Sequence, residues 1–127
     1  MSTPPLQAEV HRFILTSIPS VPYLEAVLLL RAEPSAPWDA PRLARRLYIP
    51  EGNAAELLGQ LAAAGVAAPE AGNAVRYQPA TAELAALLDA VAHQYTVNLV
   101  GVTDLIHSRT GKRAQQFADA FRWRKDN

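Results

Sequence analysis

The residues of this sequence best suited to catalysis or metal binding are its three histidines and the carboxylates near them. His11, His93 and His107 have no spacing, relative to one another or to a pair of carboxylates, that would place three ligands around a metal ion. Asp89 lies four residues before His93, which on a helix predicts a surface contact. His107 lies at the C-terminal end of a predicted helix, where a histidine interacts favourably with the helix dipole. The histidines therefore predict no metal centre.

Other sequence patterns for catalysis or cofactor binding are missing as well. The stretch "TGKR" lacks the Ser or Thr that follows the lysine of a phosphate-binding loop, and Ile106 occupies the place of its upstream glycine. No nucleophile elbow or glycine-rich dinucleotide motif is present. The sequence contains no cysteine, which excludes disulfides and thiolate ligands. We expect a protein without enzymatic activity, cofactor or metal ion.

Length and composition favour one domain with an uneven charge distribution. The chain has 127 residues, half of them hydrophobic, and zero formal net charge. Residues 1–108 carry six basic and ten acidic side chains, whereas residues 109–127 carry six basic and two acidic ones. A domain dedicated to nucleic acid is usually basic throughout. Because no signal peptide or membrane-length apolar run is visible, we expect a cytoplasmic protein.

The first third of the chain predicts two helices. Apolar residues at helical spacing in "QAEVHRFILTSI" indicate an N-terminal helix that ends before Pro19. The stretch "PYLEAVLLLRAEP" predicts a second, largely buried helix that stops before Pro34. In the following loop, Trp38 is expected to bridge to a later hairpin.

The middle third predicts two further helices and a hairpin. Asp39 precedes "APRLARRLYI" as an N-cap, with Pro41 in the first turn. A second helix is expected from about residue 50 to 64, with Gly65 as its C-cap. Residues 66–68 and 74–78 read as short strands joined by the turn "EAGN", in which glycine and asparagine tolerate positive φ.

The last third predicts long helices and completes an α+β domain. Thr81 caps a helix expected to run unbroken to residue 108, about 40 Å at ~1.5 Å per residue. Beyond it, "KRAQQFADAFRWRK" predicts a basic amphipathic helix. The fold class is mainly α with a small β-hairpin, in a single domain of residues 1–127. An N-terminal helix (1–19) and C-terminal helices (81–127) flank a core at residues 20–80.

The core pattern resembles the winged helix-turn-helix of bacterial MarR and ArsR transcriptional regulators over about residues 22–80. The resemblance rests on small and apolar residues at matching spacing, followed by a hairpin that ends in "VRYQP": Leu43, Ala44, Leu47, Ile49, Leu57, Leu58, Leu61, Ala64, Gly65 and Val66. All of these are core or turn positions. The resemblance implies a winged-helix fold, in which the second helix of the motif faces the DNA major groove.

As a DNA-binding regulator, the chain would contact phosphates through four arginines and bases through two amides. The arginines are Arg42, Arg45, Arg46 and Arg76, and the amides are Asn53 and Gln60. The same arginines also fit a solvated helix face. No basic residue lies between positions 54 and 75, and two carboxylates, Glu51 and Glu56, fall on the face that would approach DNA. The alternative is therefore a winged-helix module that binds another protein through this acidic face instead of double-stranded DNA.

A second apolar side on the predicted long helix suggests a homodimer. The expected interface follows a 4-3 pattern and continues into the last segment: Leu84, Leu88, Val91, Tyr95, Asn98, Val102, Leu105, Phe117 and Phe121. A buried Asn98 would set the register, as polar residues do in coiled coils. The alternative is that the N-terminal helix folds back and covers the second side within one chain. The basic, aromatic C-terminal segment fits packing within the dimer, or binding to nucleic acid or to an acidic partner.

Overall fold

The computed structural model describes residues 5–108, with side chains described from residue 8 onward. The fold is mainly helical with one small antiparallel sheet, as the α+β prediction requires. Its elements are α1 (Pro5–Ser17), α2 (Val21–Ala32), α3 (Ala40–Leu47), α4 (Glu51–Ala63), β1 (Ala67–Pro69), β2 (Val75–Tyr77) and α5 (Ala82–Val97). A further helix, α6, covers residues 99–108. The amphipathic helix predicted within 109–127, with Phe117 and Phe121, lies outside the described residues.

The helices α2, α3 and α5 each begin at a side-chain cap. The side chains of Ser20, Asp39 and Thr81 each accept a hydrogen bond from the backbone N–H three residues later, at 2.9–3.2 Å. Each cap satisfies one of the four N–H groups that a helix start leaves without an intrahelical partner. The predicted caps at Asp39 and Thr81 are confirmed.

One hydrophobic core joins all of these elements. The inward residues predicted for α4 are buried, namely Ala54, Leu57, Leu58 and Leu61. From α3, Leu43 and Ala44 are buried beside them, and α3 and α4 make the most extensive contact between any two elements. After α4, Gly65 has φ 77°, the left-handed conformation that glycine adopts most easily. The pair of helices and the turn that follows it therefore form as their apolar spacing predicts.

The hairpin and its bridge to Trp38 are also confirmed. β1 and β2 pair antiparallel, with Ala68 opposite Arg76. The turn between them contains Gly72 at φ 72° and Asn73 at φ 61°. Trp38 and Val75 exchange two backbone hydrogen bonds of 2.8 Å each, which adds a third short segment beside β2. The Trp38 side chain is fully buried beneath it.

The prediction of one unbroken helix from residue 81 to 108 is wrong. α5 ends at Val97, and Asn98 has φ −149° and ψ 62°, which no α-helix accommodates. The Asn98 side-chain oxygen accepts a hydrogen bond of 3.1 Å from the Gly101 N–H, so it caps the start of α6. Asparagine competes with helix continuation through this kind of local bond. Within the single chain Asn98 is an exposed helix cap, and its role in setting the register of a dimer stays a prediction.

Three residues of the predicted dimer seam are core residues of the single chain. Leu88, Val91 and Val102 are at most 5% exposed. α1 packs against α5 through a face with Val10 and Ile14, as in the alternative in which the N-terminal helix folds back. Leu84, Tyr95 and Leu105 are partly buried against the same core. The surplus apolar surface is therefore largely covered within one molecule.

Within residues 5–108, no single helix combines the length and apolarity needed to cross a membrane. Ala8–Ser17 and Val21–Ala32 meet those criteria only when taken together, and they are bent by 113° at the break between them.

Candidate functional site: the exposed face of α4

The arginine expected to contact phosphate at the start of α3 is bound within the protein. The guanidinium of Arg42 lies 3.7 Å from the centre of the Trp38 ring. It donates hydrogen bonds of 2.8 Å to the Glu33 carboxylate and 2.9 Å to the Pro37 carbonyl. The Arg42 side chain therefore covers the indole and ties the α2–α3 loop to α3.

Two of the other three predicted phosphate contacts also face carboxylates. Arg46 lies 3.8 Å from the same Glu33 carboxylate, and Arg76 lies 3.1 Å from the Glu70 carboxylate. Arg45 is exposed and has no ion pair among the described residues. Of the four arginines, Arg45 is thus the one whose charge faces solvent without a paired carboxylate in this part of the chain.

The exposed face of α4 consists of carboxylates, amides and very small residues. Its exposed members are Glu51, Gly52, Asn53, Ala55, Glu56, Gly59, Gln60 and Ala63. A side chain added at Gly52 or Gly59 would meet nothing within 4 Å, so the surface beside both is open. Neither Glu51 nor Glu56 has an ion pair within residues 5–108. This face carries negative charge and allows close approach of another backbone.

One side of α4 forms a cleft with the α1–α2 junction, which we call the α4 cleft. It has a volume of about 320 Å³ and is lined by Pro19, Ser20, Pro22, Ile49, Asn53, Glu56, Leu57 and Gln60. The helix contributes the polar wall at positions 53, 56 and 60, which share one face at helical spacing. The proline-rich junction contributes an apolar wall. The structure therefore brings both predicted base-contacting amides and the predicted partner-facing Glu56 into one cleft, whereas Glu51 lies outside it.

The other side of α4 faces the hairpin across a wider groove. This groove, of about 700 Å³, runs between Ala55, Gly59 and Ala62 on the helix and the turn that contains Gly72. Its polar residues are Asp39, which caps α3, Glu70, which pairs with Arg76, and Asn73. From the described part of the chain, no basic side chain lines this groove.

The turn between α3 and α4 exposes an aromatic residue in an uncommon conformation. Tyr48 has φ 57° and ψ 47°, the left-handed region where glycine is common in turns of this kind, and it is 94% exposed. A bulky residue with positive φ is a true outlier. Its N–H nevertheless bonds to the Ala44 carbonyl and ends α3. Tyr48 adjoins the α4 cleft, since the next residue, Ile49, lines it.

No metal or catalytic cluster is found among the described residues. No group of three His, Asp or Glu side chains within residues 5–108 is arranged to hold a metal ion. Among the groups that the structure describes, two have shifted pKa values, and both are tyrosines outside the cleft. Burial raises the pKa of Tyr23, and burial together with the Asp89 carboxylate raises the pKa of Tyr77 against an opposing effect of Arg31.

Comparison with protein-family models, with curated proteins and with solved structures gave no match for this chain.

Proposed function

We propose that this protein is a winged-helix interaction module that binds a protein segment in the α4 cleft and does not bind DNA through α4. The winged-helix part of the proposal is supported by the order of the elements: α2, α3 and α4 are followed directly by the β1–β2 hairpin. The Trp38–Val75 bridge adds the third short strand segment beside the hairpin. A cytoplasmic location belongs to the same proposal.

The choice of a protein segment over duplex DNA as the partner rests on one observation, the charge distribution around α4. Affinity for duplex DNA comes largely from cations that replace counterions on phosphates. Here Arg42, Arg46 and Arg76 face carboxylates of the same chain. Glu51 and Glu56, on the face that would enter the groove, have no ion pair with any residue that the structure describes. A phosphate backbone would have to displace two carboxylates, Glu33 and Glu70, and approach two more. A basic protein segment would meet no such cost.

The lining of the cleft defines the chemistry of the partner. Ile49 and Leu57, together with the two prolines, form an apolar floor that accepts one aliphatic or aromatic side chain. Asn53 and Gln60 each offer a donor and an acceptor to the backbone of an extended segment. Glu56 favours a lysine or arginine next to the inserted side chain. The expected ligand is a segment with an apolar residue flanked by basic ones.

Site-specific photocrosslinking tests this proposal in cells that express the protein. A photoreactive residue at Gln60 should give a discrete protein adduct, and Glu56→Lys in the same chain should abolish it without changing the unfolding midpoint. A photoreactive residue at Ala86, exposed on α5, and the charge reversal Glu83→Lys serve as matched controls. If the adduct at Gln60 persists with Glu56→Lys, or is equally strong from Ala86, the cleft is not the binding site.

Homodimerisation stays a prediction. It is supported by an apolar patch at the α5–α6 corner, where Val97, Leu99 and Val100 are 52–68% exposed.

A further inference from the structure

We propose that the α4 cleft is occupied by the C-terminal segment of the same molecule, residues 109–127, which an external partner must displace. This inference rests on the proposed function of the cleft. The charge of residues 109–127, their chemistry and their reach all support this binding.

The charges of the two parts of the chain are complementary. The 19 residues of 109–127 carry six basic and two acidic side chains, whereas residues 1–108 carry six basic and ten acidic ones. Of the six arginines within residues 5–108, four face carboxylates in ion pairs, so the basic charge of this part is already largely neutralised. Glu56 in the cleft and Glu51 at the start of α4 have no ion pair among the described residues and are thus available to a basic segment.

The chemistry of the C-terminal segment fits the ligand that the cleft requires. The sequence "FRWRK" at residues 121–125 alternates aromatic and basic side chains. An aromatic ring fits a floor of isoleucine, leucine and proline, and the adjacent cations fit the Glu56 wall. Among the stretches of this chain, it is the one in which two aromatic residues alternate with basic ones.

The position at which the described chain ends allows the segment to reach its own cleft. Ser108 and His11 line one hollow between α6 and α1, of about 330 Å³. From His11, α1 leads toward Pro19, which lines the α4 cleft, over about 12 Å at ~1.5 Å per residue. A chain of 19 residues would span up to about 60 Å if extended, and the helix predicted within it, "KRAQQFADAFRWRK", would still span about 20 Å at ~1.5 Å per residue. A tether of this length gives an effective concentration on the order of 1 mM, so weak affinity is enough to occupy the cleft.

The absence of cysteine allows a direct test in the full-length chain. A thiol introduced by Gln60→Cys in the cleft is reacted with a neutral maleimide, whose approach does not depend on charge. Reversing the charge of the segment with Arg122→Glu, Arg124→Glu and Lys125→Glu should accelerate the reaction at least about twofold, as expected for half-occupancy at the effective concentration above. The same reversal should not change the rate at a thiol introduced by Ser35→Cys, which lies in the exposed α2–α3 loop.

A charge swap completes the test. Glu51→Arg with Glu56→Arg should restore slow labelling in the chain with the reversed segment, at a rate independent of protein concentration. Equal rates with native and reversed segments, or a swap that restores nothing, would overturn the inference. Protection that increases with protein concentration would also overturn it, because the segment would then bind a second molecule.

These outcomes are separate from the test of the proposed function. If the cleft is unprotected but the Glu56-dependent adduct at Gln60 still forms, only the inference about residues 109–127 is refuted. If the cleft is protected but no adduct forms, only the proposal of an external partner is refuted.

Discussion

The Arg42 guanidinium stacks on the Trp38 indole at 3.7 Å while two of its nitrogens bond to Glu33 and to the Pro37 carbonyl. This relationship turns a predicted DNA contact into part of the fold, because the arginine covers a fully buried tryptophan and fixes the loop before α3. The indole Nε1 has no hydrogen-bond partner among the described residues, so the ring is held by packing and by the cation above it.

Replacing Arg42 should therefore destabilise the protein, whereas replacing Arg45 should not. For Arg42→Ala we expect a loss of about 1–2 kcal/mol, from the cation–π contact and from a partly exposed ion pair. Arg45→Ala removes an exposed side chain of the same helix and should change stability by less than about 0.5 kcal/mol. Urea denaturation of both variants measures the difference. Equal losses would mean that the Trp38 stack contributes nothing.

Tyr48 should be a position where substitution increases stability. A side chain with a Cβ pays about 1 kcal/mol or more in the left-handed region, which glycine avoids. Because Tyr48 is 94% exposed, its removal loses little packing. Tyr48→Gly should stabilise by about 0.5–1 kcal/mol in thermal or urea unfolding, after allowance for the greater backbone entropy of unfolded glycine. Tyr48→Ala, which keeps the Cβ, is the control and should show no such gain.

Asn98 and Gly101 should be energetically coupled at the start of α6. A Cβ at position 101 would overlap the Asn98 side chain, which caps this helix. Gly101→Ala should thus destabilise the native chain, and Asn98→Ala should cost about 1 kcal/mol for the lost cap. In the double variant the overlap is gone and alanine favours the helix, so the two costs should not add. Additive losses in this double-mutant cycle would contradict the capping geometry.

The protein should lose stability in alkaline solution through its buried tyrosines. The pKa of Tyr77 is raised in the fold from the ordinary 10.0, chiefly by burial and further by Asp89. Above pH 10 the folded state then binds more protons than the unfolded state. The free energy of unfolding is therefore unreduced below that pH and falls as the pH rises toward the pKa of Tyr77 in the folded state. Tyr77→Phe should reduce this fall in urea denaturation between pH 9 and about 11, with the remainder from Tyr23.

We also make a prediction for Tyr77→Phe at neutral pH. The Tyr77 hydroxyl is buried without a hydrogen-bond partner among the described residues, so its removal should be neutral or stabilising by up to about 1 kcal/mol. Destabilisation by Tyr77→Phe at neutral pH would show that the hydroxyl has a favourable partner in solution.

Local patterns made the middle of the fold predictable from sequence. Helical spacing of apolar residues identified α4 and its buried positions, and the glycine-asparagine pair identified the turn of the hairpin. The break at Asn98 was missed because its cause is a single side-chain bond to Gly101, while the apolar period continues on both sides of it. The burial of three predicted seam residues within the single chain was missed for the same reason, since a broken helix can fold its apolar residues into the core of its own chain.

The candidate site was harder to predict than the fold. The sequence identified Asn53, Glu56 and Gln60 as outward positions, but the opposite wall of the cleft comes from Pro19 and Pro22, more than thirty residues earlier. The pairing of Arg42 and Arg46 with Glu33 likewise depends on how the α2–α3 loop turns back toward α3. Spacing along one helix carries no information about such contacts.

The titration of a labelled DNA duplex, followed by fluorescence anisotropy at low and moderate salt, tests the central claim most directly. We predict that any association of the 127-residue protein is weak and is unchanged by Arg45→Ala and by Asn53→Ala, because the proposed partner of α4 is a protein segment and not a DNA groove. Tight, salt-dependent binding that either substitution weakens tenfold or more, roughly 1.4 kcal/mol, would contradict the account and restore the DNA-binding regulator.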